Sequence, residues 1–501
     1  MTKAKFVQGP ILNHILVMSS TAAVGISALF VVDLLDIFFL SLLGEQELAA
    51  AVGYAGSISF FTTSIGIGLS IALGALVSRA IGAKDLKLAR RLLLNSAVVT
   101  LVVSLLVATL VTCFIPELVS LVGATGHTAE LAADYLYILV PSLPLICLAM
   151  ALGGALRAVG DAKLSMFSTL TGGGVNAIFD PILIFMFAMG IEGAALASVL
   201  ARLAVLLVAG RGIIFKHKLF GRFDWQAFKQ DLRPVFAIAA PAMLTNVATP
   251  IGNAVVTRAI ADFGDAYVAG WAVLGRLIPV CFGMIFALSG AIGPIVGQNY
   301  GAGEYARVRE SLTRAIQFCT FYVLLVSLLL FALKSQVIRV FDLKGDSAEL
   351  VLFFCSYIAV FFIFSGILFV ANASFNNLGK AKYSSFFNVG KATLGTIPFV
   401  YFGALWGGVH GVLIGQVLGS VLFGVLAVMM AYRLVERVST LAPGVMLGSE
   451  PGGAEAEAEM SPISPNPLSS SCTQMAQLAE EALDDSVPEL VGFSRPQEPE
   501  K

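Results

Sequence analysis

The sequence predicts an all-α polytopic membrane protein: twelve transmembrane helices in two six-helix bundles related by a pseudo-two-fold axis along the membrane normal. Three observations carry this. Of 501 residues 57% are hydrophobic and 13% charged, with a mean hydropathy of +0.88, whereas soluble proteins average about 25% charged. Runs of roughly 20 apolar residues, the length a helix needs to cross a bilayer, occur twelve times. The last six runs repeat motifs of the first six at a nearly constant offset.

The runs lie at about 11–43, 50–78, 92–115, 131–154, 164–189, 191–210, 235–261, 267–296, 312–333, 348–374, 384–406 and 409–432. The first is expected to be a span rather than a cleaved signal, because MTKAKFVQGPILNHILVM lacks an A-x-A-like site and continues into its apolar run. Cys113, Cys147, Cys281, Cys319 and Cys355 lie in apolar runs without CxxC spacing and read as small core residues.

The net charge of −1 conceals a division. Glu450–Lys501 holds eleven acidic and two basic residues, a balance of −9, so the remaining body carries +8. These totals argue against a nucleic-acid binder, a secreted disulfide scaffold and a soluble enzyme. Lys and Arg also sort by side: Lys3 to Arg437 places 22 of them on one face of the predicted topology. Only Lys334, Arg339 and Lys344 fall on the other. By the positive-inside rule both termini are expected to be cytoplasmic.

The repeat is read from motifs. GALVSRAIGAKDLKLARR (74–91) precedes GPIVGQNYGAGEYARVRE (293–310) by 219 residues and keeps Gly82/Gly301, Ala83/Ala302, Asp85/Glu304 and Arg90/Arg309. VGDAKLS (159–165) matches LGKAKYS (378–384) at the same offset. Two halves of equal orientation are common in secondary transporters, which rock one half against the other around a midplane site. The expected organisation is an N-lobe (1–210), a basic amphipathic connector (211–234), a C-lobe (235–435) and a disordered acidic tail (436–501) with a possible short helix at 474–483.

Charges inside apolar runs are costly, about 2.5–3.5 kcal/mol each at mid-bilayer on insertion scales, and so mark cavities or pairs. Asp33 and Asp36 are neighbours on one face of the first span, and Asn176 and Asp180 share a face of the fifth. The C-terminal half has no carboxylate at the matching positions but carries Arg258, Arg276 and Lys391. Two adjacent desolvated carboxylates can load and release a proton near physiological pH. Alternatively Asp36, Asn176, Asp180 and Ser198 supply an oxygen cage for Na⁺. A purely structural alternative pairs Asp33 or Asp36 with Arg202. Pro181, beside Gly172-Gly173-Gly174, and Pro241 are hinge candidates. Phe30, Met166, Asn372 and Asn376 are candidates for lining a substrate cavity, against lipid or core packing for the apolar ones. No HExxH or GxxxxGK[ST] pattern is present, so neither an enzyme nor a cofactor is expected.

Three segments carry a family resemblance. DIFFLSLLGEQELAAAVG (36–53), GPIVGQNYGAGEYARVRE (293–310) and NAIFDPILIFMFAMGIEGAALAS (176–198) resemble the first-span, span-eight and Asn-x-x-x-Asp-Pro elements of the multidrug and toxic compound extrusion (MATE) family, over about residues 9–435. The resemblance implies a V-shaped pair of bundles around a central cavity, a monomer in the bacterial inner membrane, and export of cationic, often aromatic drugs or dyes in exchange for H⁺ or Na⁺. It implies no nucleic-acid partner. Asp36 matches the family's first-span carboxylate, with Asp180 and Asn176 as partners and Ser198 as the span-six hydroxyl. Val255-Val256-Thr257 in place of a span-seven carboxylate resembles the DinF-type more than the NorM-type branch. Ser20-Thr21 replaces the family's early Leu-Pro pair, and Asp33 is an additional acid. Two other functions remain open: a lipid-linked precursor flippase, kept by the C-half cations, and a receptor or scaffold signalling through its tail, which tail deletion would separate from transport.

Overall fold

A computed structural model describes residues 4–43 and 46–441, apart from the side chains of a few residues within 33–49 and at 441. The described residues form helices joined by turns and short irregular segments, without a strand. The expected tail helix at 474–483 and the side chain of Asp33 lie outside the described residues. The N-terminal half contains α1 (Ile11–Ser41), α2 (Gln46–Gly82), α3 (Leu86–Cys113), α4 (Ile115–Leu121), α5 (Gly126–Leu139), α6 (Leu143–Ala158), α7 (Ala162–Pro181) and α8 (Gly190–Arg211). The C-terminal half contains α9 (Trp225–Ala261), α10 (Asp265–Gly301), α11 (Tyr305–Val340), α12 (Asp346–Phe353), α13 (Phe362–Asn377), α14 (Ala381–Ala392) and α15 (Ile397–Leu441).

Among the described residues, eleven continuous segments are long and apolar enough to cross a membrane, and the last of them, Ala381–Thr440, has 60 residues. At 1.5 Å per residue that would be roughly 90 Å, about three times a bilayer core, so it must turn back. The turn is at Gly407 and Gly408, where the backbone leaves helical geometry and Gly408 adopts φ 58°. The arms pack antiparallel through small residues. The backbone of Gly411 meets Gly403, Gly415 meets Phe399, and Gly419 meets Gly395, four residues down one arm for four up the other. This reversal yields the twelfth crossing, with its turn at the break expected between 406 and 409.

Side chains sort as a bilayer requires. Leu101, Leu105, Leu106 and Leu110 on α3, and Phe321, Leu324, Leu328 and Phe331 on α11, are exposed on the outside of the bundle; hydrocarbon is the environment that makes such a surface favourable. One buried cluster fills the C-terminal half and takes in Phe6, Ile11, Ile15 and Met18, while two others fill the N-terminal half.

The basic loops gather at one end, and there the halves close on each other. The α2 and α10 backbones approach so closely that a side chain on Gly82 would strike the Gln298 carbonyl, and one on Gly301 would strike that of Arg79. These are the glycines related by the repeat, so each half supplies the same small residue to a symmetric crossing. Ser78 donates to Asn377 at 3.3 Å beside it. The segment before α1 is held across both halves: Phe6 N–H donates to Gln298 Oε1 (3.0 Å), and Gln298 Nε2 donates to the Ala158 carbonyl (2.7 Å). Lys5 reaches the Gly160 carbonyl, and Arg307 reaches the Phe6 and Gly9 carbonyls.

The connector packs under the same end. After α8 a π-turn (Gly212–Lys216) places Lys216 and His217 on Asp161 Oδ2 at 2.7 and 2.9 Å. Burial pushes the Asp161 carboxyl up, but these two bonds and the Leu164 N–H outweigh it and hold it below the usual carboxylate range. Helix α9 starts at Trp225, within the connector, with Asp224 capping the amides of Gln226 and Ala227. Its buried Asp231 accepts two hydrogen bonds from Arg91 at 3.1 Å and one from Asn95 at 2.7 Å, joining α3 to α9.

Candidate coupling site

The site is built on α7. Asp161 caps the start of this helix by accepting from Leu164 N–H. At its far end Pro181 has no N–H to donate, and the chain widens into a π-turn over Ile182–Met186. Asn176 and Asp180 stand one turn apart just before this break. Asn176 Nδ2 donates to Asp180 Oδ1 at 3.1 Å, and both are buried, Asp180 completely. A fully buried carboxyl must be bonded, paired or protonated to persist there.

Three other helices bring the partners. Helix α1 packs along α7 and places Asp36, half-buried, within hydrogen-bonding reach of Asp180. Tyr135 of α5, 7% exposed, hydrogen-bonds with Ser198 of α8 and lies within electrostatic range of Asp36, Asp180 and Arg202. Arg202 itself donates to the Leu139 carbonyl (3.0 Å) and to Ser142 Oγ (2.8 Å), between α5 and α6. Two carboxyls, an amide, a phenol and a hydroxyl therefore meet from four helices, with a guanidinium nearby. Phe39 and Phe185 form an edge-on ring pair with centroids 6.3 Å apart.

The structure thus brings together Asp36, Asn176, Asp180 and Ser198, which the sequence singles out. Tyr135 was not anticipated. One signal was available: tyrosines in membrane proteins concentrate at the interfaces, yet Tyr135 lies well inside the 126–158 span. Phe30 is exposed on α1 and Met166 half-buried on α7. Asn372 and Asn376 are buried on α13, in the other half. Pro241 sits inside an unbroken α9, its carbonyl accepting from Ser385 at 2.6 Å. Arg258 is taken up at the surface by Asp262, 2.9 Å away.

Comparison with known proteins fits this geometry. The MatE family model matches twice, at residues 22–182 and again at 241–402, each half separately and with the offset found in the motifs. The chain belongs to the MatE family. Members of this family are secondary transporters rather than enzymes, so the MatE fold here is a two-lobed, multi-pass membrane transporter. Among similar proteins, an FAD transporter of Shewanella oneidensis is 27% identical over 435 residues, covering 86% of this chain and 96% of that protein. The multidrug export protein MepA of Staphylococcus aureus is 22% identical over 442 residues, covering 87% and 96%. The solved structure of the Vibrio cholerae MATE transporter VcmN superposes with a TM-score of 0.80 at 25% identity, over 85% of this chain and 97% of that one.

Proposed function

We propose that this MatE protein is a cation-coupled efflux antiporter whose ion-binding groups are Asp36 and Asp180, aided by Asn176, Ser198 and Tyr135. The observation that carries the reading is the buried Asp180 carboxyl, bonded by Asn176 and approached by Asp36. Two carboxyls at this separation cannot both hold a negative charge cheaply, so the pair takes up a proton or a cation such as Na⁺. Loading removes the repulsion between α1 and α7; release restores it. Each pH unit of gradient supplies about 1.4 kcal/mol per proton to bias the exchange between outward- and inward-open states.

The seal at Gly82 and Gly301 closes the basic end. Taking that end as cytoplasmic, the state is closed inward, both described termini of the body are cytoplasmic, and the protein resides in the bacterial plasma membrane as a monomer. Lobe boundaries at 1–210 and 235–435 follow the repeat. Val256 and Thr257 on α9, with Thr257 accepting from Trp271 Nε1 at 2.9 Å, leave no span-seven carboxylate and support the DinF-type branch. Pro181, ahead of its π-turn, is the favoured hinge.

The relative named as a multidrug export protein supports drugs as cargo, and the family resemblance adds that these are aromatic cationic amphiphiles. A second reading, export of a flavin dinucleotide, is supported by the relative named an FAD transporter and by the cationic Lys391 in the C-terminal half. The test is ethidium efflux from proteoliposomes under an imposed pH or Na⁺ gradient. Asp36→Asn is expected to abolish gradient-driven efflux while the protein still inserts; full efflux by that variant would sink the assignment.

A further inference from the structure

The C-terminal half holds a charge that the coupling site does not use. Lys391 lies ten residues into α14 from Ala381, and Ser365 lies twelve residues before the end of α13 at Asn377. Both helix ends are at the basic end of the bundle. At 1.5 Å per residue the two side chains stand roughly 15–18 Å inside, about the middle of a bilayer core. The Lys391 ammonium donates to Ser365 Oγ at 3.2 Å. No described carboxylate pairs with it. A single hydroxyl leaves most of a desolvated charge uncompensated.

Lys391 and Ser365 are both half-buried, so they border open space rather than a sealed core. Ser365 begins a stripe on α13 with Phe369, Asn372 and Asn376, at spacings of four, seven and eleven residues, which one helix face shares. Along the stripe toward the basic end, polar atoms lack partners. Asn372, 4% exposed, has neither amide atom hydrogen-bonded, and Asn376, 5% exposed, has a free Oδ1. Phe369 packs against Phe286 of α10 with ring centroids 5.4 Å apart. The face therefore offers an ammonium with a hydroxyl, an aromatic pair, and amide donors and acceptors with nothing to bond. At the repeat offset of 219 the N-terminal half has Gly172 where Lys391 stands. The carboxylates of the coupling site thus lie in one half and the Lys391 ammonium in the other.

We propose that Lys391, with Ser365 and the asparagine face of α13, is a subsite for an anionic group, a phosphate or carboxylate, on an aromatic amphiphile. This rests on the transport reading above and deepens it. The ammonium supplies the charge partner, Ser365 orients it, Phe286 and Phe369 cover the ring system, and Asn372 and Asn376 bond polar substituents.

The test uses riboflavin and FMN, which share a ring and differ by one phosphate. Binding to purified protein in phosphatidylcholine nanodiscs is followed by quenching of flavin fluorescence. FMN is expected to bind at least tenfold more tightly than riboflavin. Lys391→Gln should bring that ratio close to one, and Lys391→Arg should keep it. A wild-type protein that does not distinguish the two flavins, or a preference that survives in Lys391→Gln, overturns the proposal. Gel filtration shows whether each variant is folded, and Lys391→Arg retains a readout if the glutamine variant is not. Repeating the measurement with phosphatidylglycerol in the disc separates sources: an unchanged preference is expected, and its loss would give the subsite to a lipid headgroup instead. No gradient is imposed, so failure here leaves ion coupling at Asp36 standing, and full efflux by Asp36→Asn leaves this binding result standing.

Discussion

Replacing Gly82 with alanine tests the seal between the halves. The added Cβ would land against the Gln298 carbonyl, part of a hydrogen-bonded helix that cannot yield locally, so α2 and α10 must part to make room. Overpacking of this kind costs about 1–3 kcal/mol. Alanine also gains helix propensity, up to about 1 kcal/mol, but α2 is helical whether the seal is open or closed, so that gain cancels. The open population should then rise roughly 5- to 150-fold. The readout is hydrogen exchange of the Phe6 amide, which is bonded across the seal to Gln298 Oε1 at 3.0 Å; it should quicken by a similar factor. Gly283→Ala is the control, because a Cβ there meets nothing within 4 Å. If Gly82→Ala exchanges Phe6 no faster than wild type or the control, the seal does not depend on the glycine contact and the reasoning fails.

Two further outcomes follow from the basic end. Asp161 is held below the usual carboxylate range once folded, so its bonds to Lys216 and His217 stabilise the connector fully above the unfolded value, about 3.9, and lose that contribution as pH falls through the folded value. The gap in melting temperature between wild type and Asp161→Asn should therefore shrink below about pH 4; a gap that stays as large there contradicts this. For the Arg91–Asp231 pair, Asp231 is buried while the Arg91 side chain is 42% exposed. Arg91→Ala strands a buried charge, a loss of about 3–5 kcal/mol at its fullest, whereas Asp231→Asn leaves an exposed guanidinium that water can serve. Thermal melts in detergent should rank Arg91→Ala as the more destabilised, and the reverse order would refute the account.

Much of the architecture was legible because hydropathy and helical spacing are local. The apolar runs marked the crossings, including the last pair, whose boundary between 406 and 409 coincides with the break at Gly407 and Gly408. Asn176 and Asp180 could be placed on one face from their spacing alone. The alternative role for Arg202 was not resolvable from the chain: a charge in an apolar run implies a partner, but the Leu139 carbonyl and Ser142 are sixty residues away and leave no pattern. For Tyr135 the only signal was its depth within a span, because its partner Ser198 is reached through the crossing of α5 over α8.

By itself the sequence determined the span number, the internal repeat, the basic and acidic division, and which few intramembrane charges needed explaining. Tertiary structure decided which of them meet. It set Asp36 against Asp180, gave Lys391 a serine in place of an acid, and turned the aligned pair Gly82 and Gly301 into the two sides of one contact. The physical reason is that burial and periodicity are properties of a segment, whereas adjacency depends on helix crossing angles and close approach, set jointly by residues hundreds of positions apart.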